Sequence, residues 1–217
     1  MAGCAMNKAL ISAALCVLTL LSACNMGAGG NASSTAQEEQ GELIGARIGA
    51  PFTLTDQDGK PARWDDYRGK YRIVYFGYSY CPDVCPVDLQ RIMQAFARFE
   101  KEAPALAAKV QPIFISVDPG RDTPAVLKTY VAAFHPRLIG LTGTPEQIAK
   151  VAKDFAVLHN REETKGASDY LVSHSRTPYL FGPKGEPIAL IPVDDPGTAE
   201  DDGAPDRILA TLKKYVR

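Results

Sequence analysis

The chain carries 24 Lys and Arg against 25 Asp and Glu over 217 residues, a net charge of −1. So balanced a surface offers no basic field for a polyanion, which excludes a nucleic-acid binder. Apolar residues make up 46% of the chain, enough to build a substantial core and too many for a disordered polypeptide.

The first predicted element is a leader. Lys8 supplies a positive n-region, and residues 9–21 form an apolar run too short for a comfortable membrane span. Leu21-Ser22-Ala23-Cys24 then resembles the processing signal of a bacterial lipoprotein, with cleavage before Cys24 and lipid on its sulfur. A chain processed in this way is held at a membrane surface. Its expected place is the cell envelope, facing the periplasm or the extracellular side. The chain has five cysteines. Cys4 and Cys16 leave with the leader and Cys24 is acylated, so Cys81 and Cys85 remain as thiols in an oxidising compartment. The expected division is therefore 1–23 as signal peptide, 24–42 as lipidated N-terminus and flexible tether, and 43–217 as a single folded domain.

Within that domain, Phe52-Thr53-Leu54-Thr55 followed by Asp58-Gly59-Lys60-Pro61 predicts a strand and tight turn. Ile73-Val74-Tyr75-Phe76 predicts a buried strand, being continuous, apolar and β-prone. Leu89, Ile92, Met93 and Phe96 then fall on one face of a helix. Residues 110–117 read as a second core strand. Thr123 and Pro124 open the next helix as N-cap and first helical residue, and residues 138–141 read as a short edge strand. Thr144-Pro145-Glu146-Gln147 has the form of a capping box for a helix that buries Ile148, Val151 and Phe155. Residues 179–181 and 188–191, joined by Gly182-Pro183-Lys184-Gly185, read as a hairpin. A last helix starts at Pro205. Strands alternating with helices and ending in a hairpin and helix predict an α/β domain with a mixed sheet flanked by helices.

The chemistry concentrates in Cys81-Pro82-Asp83-Val84-Cys85-Pro86. Cysteines four apart fall on one side of a helical turn, so their sulfurs can meet each other or a shared metal ion. Pro86 suits the first position of a helix. The thiols are thus expected where a central strand hands over to a helix N-terminus, which favours thiolate. A cysteine pair after the first core strand suggests a thioredoxin-like arrangement. In that topology the segment entering the terminal hairpin, with His174, faces the cysteine turn. Two thiolates and an imidazole suit copper, because soft thiolates select copper(I); zinc with a water in the fourth position stays open. His135 at a helix end and His159 read as structural. Asp83 reads as a complement to the helix start, and Asp118 and Asp122 as turn and cap residues. The competing readings are a thiol–disulfide oxidoreductase, with Cys81 attacking and Cys85 resolving, and a structural disulfide whose small loop confers little stability.

Four ordered motifs carry a resemblance to the Sco/SenC copper proteins. They are residues 75–86 around the cysteines, Ser116-Val117-Asp118-Pro119-Gly120-Arg121-Asp122-Thr123-Pro124, residues 138–144, and the block from Asp169-Tyr170 through His174-Ser175 to Tyr179-Leu180. The resemblance runs over about 48–216. It implies a thioredoxin-like fold holding one copper ion through Cys81, Cys85 and His174. It also implies help in assembling the binuclear copper centre of cytochrome c oxidase, by delivering copper, by reducing that site's cysteines, or both. The partner so implied is the copper-site subunit of that oxidase or another periplasmic copper protein; a chain acting in this way would not be a turnover enzyme in the ordinary sense, while the oxidoreductase reading stays open. The chain departs from the family pattern at Ser173, where relatives commonly carry an acidic residue, and at Arg176-Thr177-Pro178.

Overall fold

The computed structural model describes residues 41–163, 170–195 and 197–217. The leader, Cys24, nearly all of the expected tether, and Asp169 lie outside the described residues.

Two strands form the centre. β3 (Tyr71–Gly77) and β4 (Val110–Ser116) are buried along their whole lengths, as parallel strands covered on both faces must be. They pair in parallel, Tyr71 opposite Val110 through Gly77 opposite Ser116. β5 (Ile139–Thr142) continues the parallel set beyond β4. β1 (Thr53–Asp56) pairs antiparallel with β5, and β2 (Pro61–Arg63) with β1. On the other flank β8 (Tyr179–Phe181) and β9 (Pro187–Leu190) add as an antiparallel hairpin against β3. The strand order is β2-β1-β5-β4-β3-β8-β9. The expected mixed sheet is therefore present, with one correction. The strand expected at the edge over 138–141 is interior, because the N-terminal hairpin folds back and pairs with its free side.

The helices are α1 (Val84–Glu102), α2 (Pro104–Ala107), α3 (Pro124–Ala132), α4 (Pro145–Asp154) and α5 (Pro205–Tyr215). Their starts follow the expected chemistry. Thr123 Oγ1 accepts from the Val126 amide at 3.3 Å, and Thr144 and Gln147 form the reciprocal capping box. Helix α1 differs: it begins at Val84 rather than at Pro86. Pro86 is tolerated there because first-turn amides have no intrahelical acceptor. Cys85 is consequently already helical. Asp83 holds the N-cap position without a side-chain cap bond.

Side-chain alternation along β3 sends Tyr75 and Phe76 to opposite faces. Tyr75 meets Phe114, which meets Tyr130, with ring centroids 6.2 and 5.3 Å apart; on this side of the molecule α1 packs against α5. Phe76 meets Phe155, itself packed against Phe52, Trp64 and Phe181. The buried apolar residues form one continuous cluster, consistent with a single domain.

One feature falls outside the sequence expectation. β6 (His159–Glu163) and β7 (Tyr170–His174) pair as a two-stranded antiparallel ribbon apart from the main sheet. β6 is nearly all polar and exposed, so it shows none of the alternation that marks a half-buried strand. Among the described residues, no helix is long and apolar enough to cross a membrane.

Phe155 is fully buried at the meeting point of four aromatic rings. Phe155→Ala should cost about 3–5 kcal/mol, read as a lower urea midpoint at unchanged slope. A loss under about 1 kcal/mol would contradict this packing.

Candidate metal centre

The site forms where β3 ends. Gly77 closes the strand, and a Cβ there would stand 3.0 Å from Phe114 and 3.3 Å from Cys85 Sγ. Glycine thus lets α1 bring its first turn close over the strand end. The Cys81 amide donates to the Tyr78 carbonyl at 3.3 Å and the Cys85 amide points at Cys81 Sγ at 3.5 Å. Both cysteines are free thiols, Cys81 half-buried and Cys85 buried.

The segment ahead of Cys81 is tied down by Asp122. This carboxylate is completely buried and accepts from the Ser79 amide at 3.0 Å, from the Ser79 hydroxyl, and from Ser116 Oγ on β4. The cap expected of it belongs to Thr123 instead. Asp118 accepts from Arg121 and from the Tyr170 hydroxyl at 2.7 Å, which links this turn to β7.

The third donor arrives from the ribbon. His174 ends β7, and its Nε2 lies 3.0 Å from Cys85 Sγ. Its Nδ1 lies 2.9 Å from the Ser175 carbonyl. A carbonyl only accepts, so Nδ1 carries a proton, and Nε2 is the ring nitrogen that faces the sulfurs. Ser175 is in turn fixed to the residue before β6, its amide donating to the Leu158 carbonyl at 2.9 Å and its hydroxyl accepting from the Leu158 amide at 3.0 Å. Tyr75 and Tyr78 meet the imidazole edge-on, with centroids 6.4 and 6.0 Å away. The ligand-type atoms of Cys81, Cys85 and His174 all lie within 4.8 Å of one another. Metal–donor bonds of about 2.0–2.3 Å place donors around one ion roughly 4 Å apart, so this donor set fits a single soft metal ion.

The other two histidines separate. His135 lies far from the site, its Nε2 3.0 Å from Glu100 and its ring against Phe96, a structural role as expected. His159 is the cross-strand partner of His174. Burial, and then the neighbouring imidazole, hold its pKa below the ordinary histidine value. Sequence reasoning missed this neighbour because the ribbon that pairs the two histidines was not legible. It also missed the anchors at Tyr78, Leu158 and Ser175.

The two sulfurs are electrostatically unequal. A hydrogen bond from Cys85 pulls the Cys81 thiol well down, against partial burial, with further help from His174 and the amides of Asp83 and Cys85. The same contact, together with burial, pushes Cys85 up. One proton is thus held on Cys85 while Cys81 carries the charge.

The SCO1/SenC family model matches residues 40–216. The chain belongs to the SCO1/SenC family. Yeast (Saccharomyces cerevisiae) mitochondrial protein SCO2 is 45% identical over 140 residues, which is 64% of this chain and 46% of that protein. The human mitochondrial SCO1 homolog is 37% identical over 150 residues, 69% of this chain and 49% of that protein. The chain thus spans about half the length of these relatives. The structure of Bradyrhizobium japonicum ScoI with copper bound is 39% identical, with a TM-score of 0.65, covering 77% of this chain and 99% of that one. Yeast Sco1 with copper bound is 36% identical, with a TM-score of 0.64, covering 78% and 90% respectively. The α/β, thioredoxin-like fold expected from the sequence is the fold this SCO1/SenC chain adopts.

The inequality of the sulfurs is measurable in the reduced, metal-free protein. At pH 5.5 an ordinary thiol is only about one part in a thousand ionised. Cys81 should nevertheless react with iodoacetamide there at least tenfold faster than Cys85, by peptide mass mapping. Equal rates would show that the pair does not share its proton in this way.

Proposed function

We propose that this chain is a copper chaperone anchored at a membrane surface outside the cytoplasm. It holds one copper ion through Cys81, Cys85 and His174 and passes it to the binuclear copper centre of cytochrome c oxidase or to another periplasmic copper protein. The observation that carries this reading is the convergence of two sulfurs and one imidazole nitrogen from segments 89 residues apart in the chain. That donor set is soft, which favours copper(I) over harder ions. The copper-bound structures of two relatives support the same choice of metal.

The cargo must be both held and released. Three donors with a half-exposed Cys81 leave room for a partner's ligand to enter before one of the chain's own departs. Stepwise exchange of this kind never frees the ion into water. Loading requires that Cys85 give up its proton, so copper affinity rises with pH.

A second reading draws on the unequal sulfurs. Cys81 thiolate attacks one sulfur of a client disulfide and expels the other as a thiolate, which takes up a proton. Cys85 then loses its proton and attacks Cys81, releasing the second client thiol and leaving a Cys81–Cys85 disulfide. The client gains two electrons and this chain loses two. Such reduction prepares cysteines to receive copper, so the two activities can serve one assembly step.

The residues ahead of the domain complete the proposal. Lipid on Cys24 would tether the domain through 24–42 and keep it at the membrane, facing the periplasm or the extracellular side.

His174→Ala should bind copper(I) at least about a hundredfold more weakly in an anaerobic competition titration, while its reaction with a small disulfide continues. Stoichiometric copper binding that survives loss of both Cys81 and Cys85 would overturn the site. Cys24→Ser should move the full-length protein from the membrane to the soluble fraction and abolish fatty-acid labelling. Unchanged membrane association and labelling would remove the anchor from the proposal.

A further inference from the structure

Arg176 follows His174 by two residues, in the connection from β7 to β8, and belongs to the stretch that departs from the family pattern. Its guanidinium grips Asp88 on α1 with two bonds, Nε to Oδ2 at 3.1 Å and Nη2 to Oδ1 at 2.8 Å. Its Nη1 donates to the Asp194 carbonyl at 3.2 Å. The Asp88 side chain is only 1% exposed and sits one helical turn beyond Cys85. The Tyr75 hydroxyl donates to the same Asp88 Oδ2 at 3.1 Å. Tyr75 in turn meets the His174 ring edge-on. A single buried carboxylate therefore ties together the connection that carries His174, the helix that carries Cys85, and the strand beneath both.

The geometry of that tie is stiff. A guanidinium held by both carboxylate oxygens is planar and directional, unlike a point-charge contact. The other anchor of the histidine runs through Ser175 to Leu158, hence to the β6–β7 ribbon. Among the described residues, that ribbon pairs with no strand of the main sheet. The ion pair thus joins the histidine segment directly to the cysteine helix.

We propose that Arg176, acting through Asp88 and Tyr75, is a positioning residue that sets the approach of the His174 imidazole to Cys85. Its copper arm rests on the three-donor reading given above; its geometric arm does not. An ion pair that merely stabilised the fold could be replaced by a neutral pair without moving the imidazole. A positioning pair could not.

The test compares the parent protein with Arg176→Lys, Arg176→Met and the neutral pair Asp88→Asn/Arg176→Met. The single Met variant strands a buried carboxylate; if it fails to fold, the neutral pair carries the test. Proton NMR of the reduced, metal-free protein reads contacts from the His174 ring to the rings of Tyr75 and Tyr78. Copper(I) competition reads affinity, and urea unfolding confirms the folded state. The neutral pair should fold, lose the ring contacts, and bind copper about tenfold or more weakly. Arg176→Lys should recover part of both. A folded neutral pair that keeps its ring contacts, with copper affinity within about twofold of the parent, would reduce Arg176 to an ordinary stabilising charge. If the parent itself binds no copper, the three-donor reading fails, and the ring contacts alone still decide the positioning role.

Discussion

The 3.0 Å approach of His174 Nε2 to Cys85 Sγ is the contact that the rest of the architecture has to deliver. The two residues are 89 positions apart, so nothing local can bring them together. Closing so long a loop costs little more entropy than closing a shorter one, but the ends must then be held. The parallel β3–β4 pair and the β8 strand laid antiparallel against β3 fix the frame. Asp122 fixes the chain before the first cysteine, and Gly77 lets the helix turn over the strand end. The ribbon then presents the imidazole from the far side. Each of these ties involves buried groups, so each depends on the core being complete.

The same contact makes one site suitable for two kinds of chemistry. A cysteine just ahead of a helix and another in its first turn can close a disulfide or share a metal ion, and the choice is set by what else reaches the sulfurs. In the metal-free state the proton on Cys85 supports a charged Cys81, which is the arrangement of an attacking and a resolving thiol. With His174 alongside, the site also has the third donor that a trigonal metal site needs. Thiol exchange needs no third donor, so the anchored backbone that holds this imidazole beside the sulfurs favours metal binding as the task for which the ribbon is built.

Much of this was legible in the sequence. The central strands were readable because they are continuously apolar, and α3 and α4 because Thr123 and Thr144 are followed by the prolines and capping partners that helices require. The cysteine pair announced itself by spacing, and His174 by its place before the terminal hairpin. What escaped was set by partners distant in sequence. Residues 139–142 look like an edge strand until β1 is known to pair with them. β6 reads as a charged surface segment because its order comes from pairing with β7 rather than from its own apolar pattern. Asp88 looks like an ordinary exposed helix residue, and only the tertiary fold buries it beneath Arg176 and Tyr75.

The departure at Ser173 shows how such partners change a sequence inference. An acidic residue before the histidine suggests a carboxylate braced against the imidazole, and its loss suggests weaker support. Alternation along β7 rules that contact out here. Val172 is buried, Ser173 is exposed and His174 is half-buried, so position 173 points away from the face that presents the ring. The Ser173 hydroxyl donates instead to the Asn160 carbonyl on β6 at 3.3 Å. The imidazole takes its support from the Ser175 carbonyl, a backbone group that no substitution at 173 removes. The side chain at 173 therefore strengthens the ribbon and leaves the ring orientation to the backbone. Chain-specific tuning of this site is to be sought on the other side of the histidine, where Arg176 reaches the helix of the cysteines.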